Sequence, residues 1–75
     1  MYIVTGGAGF IGSALIKGLN DLGISEIIVV DSLQSGKKWL NLRGKLFRDF
    51  IHKEKFFASS ILKEKITAII HLGAC

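Results

Sequence analysis

The sequence predicts an α/β fold in which a parallel β-sheet is covered by helices on both faces. Three observations support this fold class. Short segments rich in β-branched residues alternate with helical patterns along the 75 residues. Residues 27–30 are apolar throughout, which is typical of a parallel strand buried on both faces. A glycine-rich turn joins the first strand to the first helix, as in strand–turn–helix units of such sheets.

The first half of the chain predicts a strand, a helix and a second strand. Residues 2–5 combine aromatic and β-branched side chains and form the first strand. Apolar side chains recur three or four positions apart over residues 10–22, which indicates an amphipathic helix. Gly23 is placed to end that helix, since glycine adopts the left-handed cap conformation readily. The second strand is predicted at residues 26–31.

The second half carries weaker patterns. Residues 32–44 predict a loop with at most one helical turn, and residues 45–47 predict a short third strand. Residues 53–64 have a helical pattern, and residues 66–71 form the fourth predicted strand. Four aromatic side chains of this half are expected in the core: Phe47, Phe50, Phe56 and Phe57.

The glycine turn has the spacing G-x-x-G-x-x-G and indicates a dinucleotide site. In such a turn Gly6 permits a tight reversal, Gly9 lets the backbone approach a pyrophosphate, and Gly12 allows close packing of helix and strand. The helix N-terminus offers N–H groups to the phosphates. Asp31 follows 19 residues after Gly12, at the distance where an acidic residue meets the ribose hydroxyls. The alternative is a glycine-rich turn without a ligand.

Composition limits the cellular compartments and the classes of ligand that are compatible with this chain. Cys75 is the single cysteine, which excludes an internal disulfide framework and fits the reducing cytoplasm. The apolar runs are far shorter than the roughly 20 residues that span a bilayer, and no signal-peptide pattern opens the chain, so no membrane partner is expected. Residues 37–65 hold nine basic and three acidic residues. Such a segment could face an acidic cofactor, nucleic acid or only solvent.

The size of the chain predicts an incomplete domain. With 49% hydrophobic residues, the chain has more apolar surface than 75 residues can easily bury, because a chain this short hides only roughly 60% of its unfolded surface. We therefore expect residues 1–75 to be the N-terminal portion of a nucleotide-binding domain whose substrate-binding part lies elsewhere. The isolated chain is expected to be inactive.

The run from Thr5 to Gly12, with the sequence Thr-Gly-Gly-Ala-Gly-Phe-Ile-Gly, closely resembles the extended short-chain dehydrogenase/reductase family of nucleotide-sugar epimerases and dehydratases. The resemblance implies a Rossmann-type doubly wound sheet, of which this chain is the N-terminal part. Lys38, Asn41 and Lys53, with the ending Gly-Ala-Cys75, are similar to the branch that epimerises ADP-linked heptoses. That branch implies carbohydrate metabolism and the building of the lipopolysaccharide core.

The resemblance implies a cofactor site and the role of each of its parts. Phe10 and Ile11 would line the dinucleotide beside the glycine turn, and Asp31 and Ser32 would meet the adenosine ribose. The other members of the site are the three motif glycines, two lysines near the adenosine phosphate and four residues beneath the nicotinamide: Gly6, Gly9, Gly12, Lys38, Lys53, Leu72, Gly73, Ala74 and Cys75. No metal site is expected.

The choice between NAD and NADP depends on opposing charges. Asp31 alone favours NAD, because its carboxylate would repel a 2′-phosphate. Lys37, Lys38 and Lys53 could neutralise that phosphate, or could be solvated lysines on a loop. The family resemblance favours NADP. His71 lies at a strand end that faces the same crevice, where a hydrogen bond to backbone is favoured over catalysis.

Catalytic residues are not identifiable in this chain. Family members use a Tyr-x-x-x-Lys pair, in which the lysine lowers the tyrosine pKa so that it acts as a base. Tyr2 is the single tyrosine, and Gly6 stands where the lysine would be needed. The resemblance implies that the whole protein is a homo-oligomeric, NADP-dependent nucleotide-sugar epimerase. The alternatives are another member of the family, such as a hexose epimerase or dehydratase, and a non-catalytic module that binds dinucleotides or nucleic acid.

Overall fold

The computed structural model describes residues 1–32 and 37–72, without the side chains of residues 37–39. Its four strands are β1 to β4: Tyr2–Thr5, Ile27–Asp31, Asp49–His52 and Ala68–His71. Its helices are α1 and α2, followed by two 3₁₀ helices: Phe10–Asp21, Lys37–Leu42, Lys53–Ala58 and Ser60–Lys63.

The strands form one parallel sheet in the order β3-β2-β1-β4. Tyr2 pairs with Ile27 on one side of β1 and with Ala68 on the other, so β1 lies between the second and fourth strands. The chain order therefore reverses between β1 and β4, which is the topological switch point of a doubly wound sheet. The predicted α/β fold class, with a parallel sheet and a switch in strand order, is confirmed.

Two apolar layers form because successive side chains of a strand point to opposite faces of the sheet. One layer lies between the sheet and the two α-helices and contains Val4, Ala8, Ile16, Ile27, Val29 and Leu42. The other lies under the two 3₁₀ helices and contains Ile3, Ile28, Val30, Phe56 and Ile61. All five residues of β2 are buried. This agrees with the prediction that its apolar run faces helices on both sides.

The beginning of the chain folds as its patterns predict. β1 has the predicted bounds, and α1 and β2 each differ from the predicted bounds by one residue. Gly23 has φ +82° directly after the end of α1, which is the left-handed conformation expected there. These elements depend on contacts between residues close in sequence, so their patterns are legible without the rest of the fold.

The third strand was predicted in the wrong place. Residues 45–47 are not a strand, and β3 is Asp49–His52. The reason is the side chain of Asn20, whose Oδ1 accepts the Leu46 N–H at 2.7 Å and whose Nδ2 donates to the Leu46 carbonyl at 2.8 Å. Both backbone groups of Leu46 are thus bonded to a side chain of α1. Bonding to β2 begins two residues later, where the Arg48 N–H donates to the Ile27 carbonyl at 2.8 Å.

Three other segments also differ from the prediction. The segment expected to be a loop with at most one helical turn contains the six-residue helix α2, and the segment expected to be one helix is two 3₁₀ helices. The fourth strand begins at Ala68, two residues later than predicted. Ser59 separates the 3₁₀ helices, because its hydroxyl accepts the Ile61 N–H at 3.1 Å and starts the second one. Phe57 is 86% exposed and is not a core residue, whereas its neighbour Phe56 is buried.

We expect Asn20→Ala to destabilise the fold by about 1–3 kcal/mol, because it removes the hydrogen bonds to Leu46 and a further one to the Ile24 carbonyl. Denaturant unfolding of the whole protein measures this change. Lys17→Ala is the control on the same helix, since it removes only an exposed pair with Asp21 and should change stability much less. Equal effects of the two substitutions would contradict this role of Asn20.

Candidate functional site

A cleft of about 740 Å³ lies at the carboxyl ends of the strands, where the order of strands reverses. Open parallel sheets bind their ligands at this position. The lining residues come from the ends of β1, β2 and β4 and from the first 3₁₀ helix: Thr5, Gly6, Gly9, Val30, Asp31, Ser32, Lys53, Phe56, Phe57, Ile69, His71 and Leu72.

The glycine turn begins directly at the end of β1 and is bonded to β2. Gly6 has φ +75°, a conformation that side-chain-bearing residues rarely adopt. Its N–H donates to the Val30 carbonyl at 2.7 Å, and its carbonyl accepts the Gly9 N–H at 3.1 Å. The turn therefore reverses the chain within four residues and leads straight into α1.

The motif glycines are required for different reasons. A Cβ on Gly12 would lie 2.3 Å from the Gly6 carbonyl oxygen and 2.6 Å from the Gly7 Cα, so only glycine lets α1 lie this close to the turn. A Cβ on Gly7 would lie 2.9 Å from Val29 Cγ1. A Cβ on Gly9 would meet only the Gly6 oxygen, at 3.3 Å. Gly12 is thus restricted by the protein, whereas Gly9 borders the cleft.

Helix α1 starts at the edge of the cleft. Gly9 is its N-cap and has no side chain to bond the N–H groups of the first turn. The first turn holds no acidic residue, so no carboxylate of its own neutralises the positive end of the helix dipole. These N–H groups and the small Gly9 together make a surface suited to an anion such as a pyrophosphate.

Asp31 joins the end of β2 to the glycine turn. Its side chain is largely buried, with 9% of the residue exposed. Oδ2 accepts the Ala8 N–H at 3.0 Å, and Oδ1 accepts the Ser32 N–H at 2.7 Å. Asp31 therefore joins the end of β2 to the turn, and it also lines the cleft.

Asn41 of α2 bonds to Ala8, the same residue of the glycine turn that bonds to Asp31, but from the other side. Its Nδ2 donates to the Ala8 carbonyl at 3.0 Å. Leu42, the next residue, is buried against the core layer that contains Ile16. The sequence showed Asn41 only as a point of family resemblance, and no local pattern indicated that it bonds to the turn.

The first 3₁₀ helix closes the cleft on the side of β3. Lys53 is exposed at its start and lines the cleft. Phe56 is buried against the sheet, while Phe57 projects outward with the two ring centroids 5.3 Å apart. This side of the cleft therefore combines a cation with aromatic surface.

On the opposite side, β4 contributes a polar pair. The Thr5 hydroxyl is hydrogen-bonded to Nδ1 of His71, and the two residues are partners in the β1–β4 register. The Leu72 N–H donates to the Thr5 carbonyl at 3.0 Å and continues the pairing to the edge of the cleft. The partner of His71 is thus a side-chain hydroxyl and not the backbone that the sequence analysis favoured.

The structure brings together part of the predicted site. Six predicted residues line the cleft: Gly6, Gly9, Asp31, Ser32, Lys53 and Leu72. Phe10 and Ile11 follow Gly9 at the start of α1 and are 83% and 72% exposed, but they are not among the residues that line the cleft. Gly12 packs on the turn instead of lining the cleft. Residues 73–75 and the Lys38 side chain lie outside the described residues.

His71 lines the cleft, as expected from its place at a strand end. Five other lining residues were not predicted as site residues: Thr5, Val30, Phe56, Phe57 and Ile69. Most lie in strands or were assigned to the core, where a binding role leaves no mark in the hydrophobic pattern. Thr5 had a usable signal, since polar residues at the carboxyl ends of parallel strands face the crevice.

The described basic side chains of the segment 37–65 lie at both ends of the strands. Arg48 lies before β3, at the amino-terminal edge of the sheet, where its guanidinium forms two hydrogen bonds with Glu64 at 2.8 and 3.1 Å. These bonds and the charge of Glu64 raise the pKa of Arg48. Glu26 lies 3.6 Å from the same guanidinium. Lys53, by contrast, lies at the cleft.

Neither a metal-binding cluster nor a membrane-spanning helix occurs in the described residues. Residues 1–32 and 37–72 contain no group of three side chains that could hold a metal ion. Within the same part of the chain, no helix is long and apolar enough to cross a membrane.

Relatives among curated proteins carry a common name. Proteins named ADP-L-glycero-D-manno-heptose-6-epimerase from Nitratidesulfovibrio vulgaris (strain DP4) and Brachyspira hyodysenteriae (strain ATCC 49526 / WA1) are 46% and 53% identical to the chain. Both alignments cover 100% of this chain but only 24% and 25% of the relatives. The chain thus spans about a quarter of the length of the curated relatives it matches.

A solved structure and a family model agree with these relatives. The crystal structure of a UDP-glucose 4-epimerase superposes with a TM-score of 0.70 at 29% sequence identity, over 99% of this chain and 22% of that one. The model of the NAD dependent epimerase/dehydratase family matches residues 2–75. With its glycine turn, its switch in strand order and this match over nearly its whole length, the chain belongs to the NAD dependent epimerase/dehydratase family.

Proposed function

We propose that these residues are the cofactor-binding segment of an NADP-dependent nucleotide-sugar epimerase. The proposed reaction converts ADP-D-glycero-D-manno-heptose into ADP-L-glycero-D-manno-heptose. The observation that carries the proposal is the opening of the glycine turn onto the cleft, with Gly9 at the N-terminus of α1. The relatives that carry the heptose epimerase name support the substrate, and the family match supports a nicotinamide dinucleotide.

The residues of the cleft fit a dinucleotide. A Cβ at Gly9 would meet one atom of the protein, the Gly6 carbonyl oxygen at 3.3 Å, and Gly9 lines the cleft, which suits close approach by a phosphate. The N–H groups of the first turn of α1 would hold the pyrophosphate, and Asp31 with Ser32 would face the adenosine ribose. A bound nicotinamide would supply reversible hydride transfer to and from the sugar.

This segment supplies binding and orientation, while proton transfer is assigned to other parts of the protein. Tyr2 is the single tyrosine of the chain and lies in β1, away from the residues that line the cleft. We therefore place the catalytic base and the nucleotide-sugar site outside residues 1–75, and expect the segment alone to show no turnover. The single cysteine supports the cytoplasm as its compartment, and the whole protein is proposed to be a homo-oligomer.

The charges around the cleft support NADP over NAD. The carboxylate of Asp31 would repel a 2′-phosphate, so a cation near the cleft must offset its charge. Lys53 lines the same cleft and can pair with that phosphate. A second candidate is a hexose epimerase, which the likeness to UDP-glucose 4-epimerase favours. A nucleic-acid module is less well supported, because the basic segment is divided and Arg48 is paired with acidic residues.

The epimerase proposal is tested by incubating the purified whole protein with ADP-D-glycero-D-manno-heptose and following the configuration at C6 by NMR. We expect the L-glycero product without added oxidant or reductant, because the hydride is returned to the same sugar. UDP-glucose and UDP-galactose are the matched substrates for the second candidate. Turnover of the hexose pair alone would replace the heptose assignment, and no turnover of either sugar would contradict the epimerase proposal.

We expect Lys53→Ala to weaken NADP(H) binding by about 1–3 kcal/mol and NAD(H) binding much less, because it removes a charged partner of the 2′-phosphate. Calorimetric titration with both cofactors measures the difference. Lys38→Ala is expected to act in the same way. Lys63→Ala is the control, since this lysine lies on the second 3₁₀ helix and does not line the cleft. Equal losses for both cofactors would mean that the lysines contribute only general attraction.

Two glycine substitutions should separate binding from folding. Gly9→Ala should weaken dinucleotide binding by at least about tenfold with little loss of stability, because its Cβ enters the space of the pyrophosphate. Gly12→Ala should instead destabilise the protein by about 1–3 kcal/mol or more, since its Cβ overlaps the backbone of the turn. Calorimetry and thermal unfolding measure the two effects.

Gly18→Ala is the control for both glycine substitutions. No atom lies within 4 Å of the Cβ it would introduce, and alanine favours the helix, so stability should rise slightly and binding should not change. Unchanged dinucleotide affinity in Gly9→Ala would mean that the pyrophosphate does not bind at this position.

A further inference from the structure

Ala8, in the middle of the glycine turn, is held by side chains from two different elements. Its N–H donates to Oδ2 of Asp31 at 3.0 Å, and its carbonyl accepts a hydrogen bond from Nδ2 of Asn41 at 3.0 Å. Ala8 itself is completely buried. Both polar groups of its backbone are therefore satisfied by residues that are distant in sequence, one at the end of β2 and one in α2.

These two bonds matter because the turn itself has little intrinsic rigidity. Glycines flank Ala8 on both sides, and glycine has more conformational freedom to lose than any other residue. The Ala8 carbonyl is also out of reach of water, so losing its partner would leave a buried polar group unpaired. Fixing Ala8 fixes the peptide that leads into Gly9 and the first turn of α1.

Asn41 is itself held in place by its neighbours. Leu42 is buried in the core layer beneath α1, which anchors the end of α2 against the sheet. The Asn41 side chain is part-buried, and its amide reaches the turn from a position that does not line the cleft. Among the described residues, Asn41 reaches the glycine turn through its bond to the Ala8 carbonyl.

We propose that Asn41 is a positioning residue for the pyrophosphate of the bound dinucleotide. It acts through the Ala8 carbonyl, opposite Asp31, and holds the N–H groups that follow Gly9 in the orientation that meets the phosphates. This inference rests on the proposed dinucleotide-binding function. Asn41 should therefore affect only ligands that have a pyrophosphate, because a ligand without one does not contact the glycine turn.

The test compares two ligands on the whole protein, NADP⁺ and adenosine 2′-monophosphate, which lacks the pyrophosphate. We expect Asn41→Ala to weaken NADP⁺ binding by about tenfold and to leave adenosine 2′-monophosphate binding unchanged. Asn20→Ala is the matched control. Asn20 also bonds to backbone groups, but these belong to residues that precede β2 and β3, at the end of the sheet opposite the cleft. It should lower stability and change the affinity for neither ligand.

Asn41→Asp provides a second variant that keeps the size of the side chain. Its ionised carboxylate would place an acceptor against the Ala8 carbonyl, so NADP⁺ binding should be weaker than in Asn41→Ala. Protonation converts the group to a donor, and affinity relative to the unsubstituted protein should recover as the pH falls towards about 4, the ordinary pKa of an aspartate. The carboxylate of Asp31 lies on the other side of Ala8 in both proteins. Its titration therefore cancels when the affinity of Asn41→Asp is divided by that of the unsubstituted protein.

The outcomes separate this inference from the function on which it rests. Unchanged NADP⁺ affinity in Asn41→Ala, or an equal loss for both ligands, would overturn the positioning role while leaving dinucleotide binding intact. Absence of NADP⁺ binding by the unsubstituted protein would instead overturn the proposed function, and the positioning role with it.

Discussion

The contact between α1 and the glycine turn is the constraint on which the rest of the site depends. Gly12 lies so close to Gly6 that a single added carbon would come within 2.3 Å of its carbonyl oxygen. This approach lets the helix begin at Gly9, directly beyond the end of β1. A wider separation between α1 and the glycine turn would move the N-terminus of α1 away from the carboxyl ends of the strands. The N–H groups that suit an anion would move away with it.

β2 connects the two ends of the proposed ligand. Its last residues bond to the turn through the Val30 carbonyl and the Asp31 carboxylate, and they also line the cleft. Asp31 therefore links the adenosine side of the proposed site to the turn through the Ala8 N–H. Because β2 is buried on both faces, it is a rigid base for these contacts.

The sequence predicted the parts of the site that depend on local patterns. The order of strand, glycine turn and helix, the cap at Gly23 and the position of Asp31 all follow from residues close in the chain. The position of β3 did not, because Asn20 bonds to Leu46 across 26 positions and displaces the start of pairing. The bond from Asn41 to Ala8 spans 33 positions and was equally out of reach of local patterns. Phe57 was misplaced because an aromatic residue in a helical pattern resembles a core residue, whereas the short 3₁₀ helix turns it outward.

A crystal structure of the whole protein with bound NADP⁺ would test the proposed site most directly. We expect the pyrophosphate to lie over Gly9 at the start of α1, with the adenosine ribose beside Asp31 and the 2′-phosphate near Lys53. A dinucleotide bound away from the carboxyl ends of β1 and β2, or one whose pyrophosphate does not contact the glycine turn, would contradict this placement.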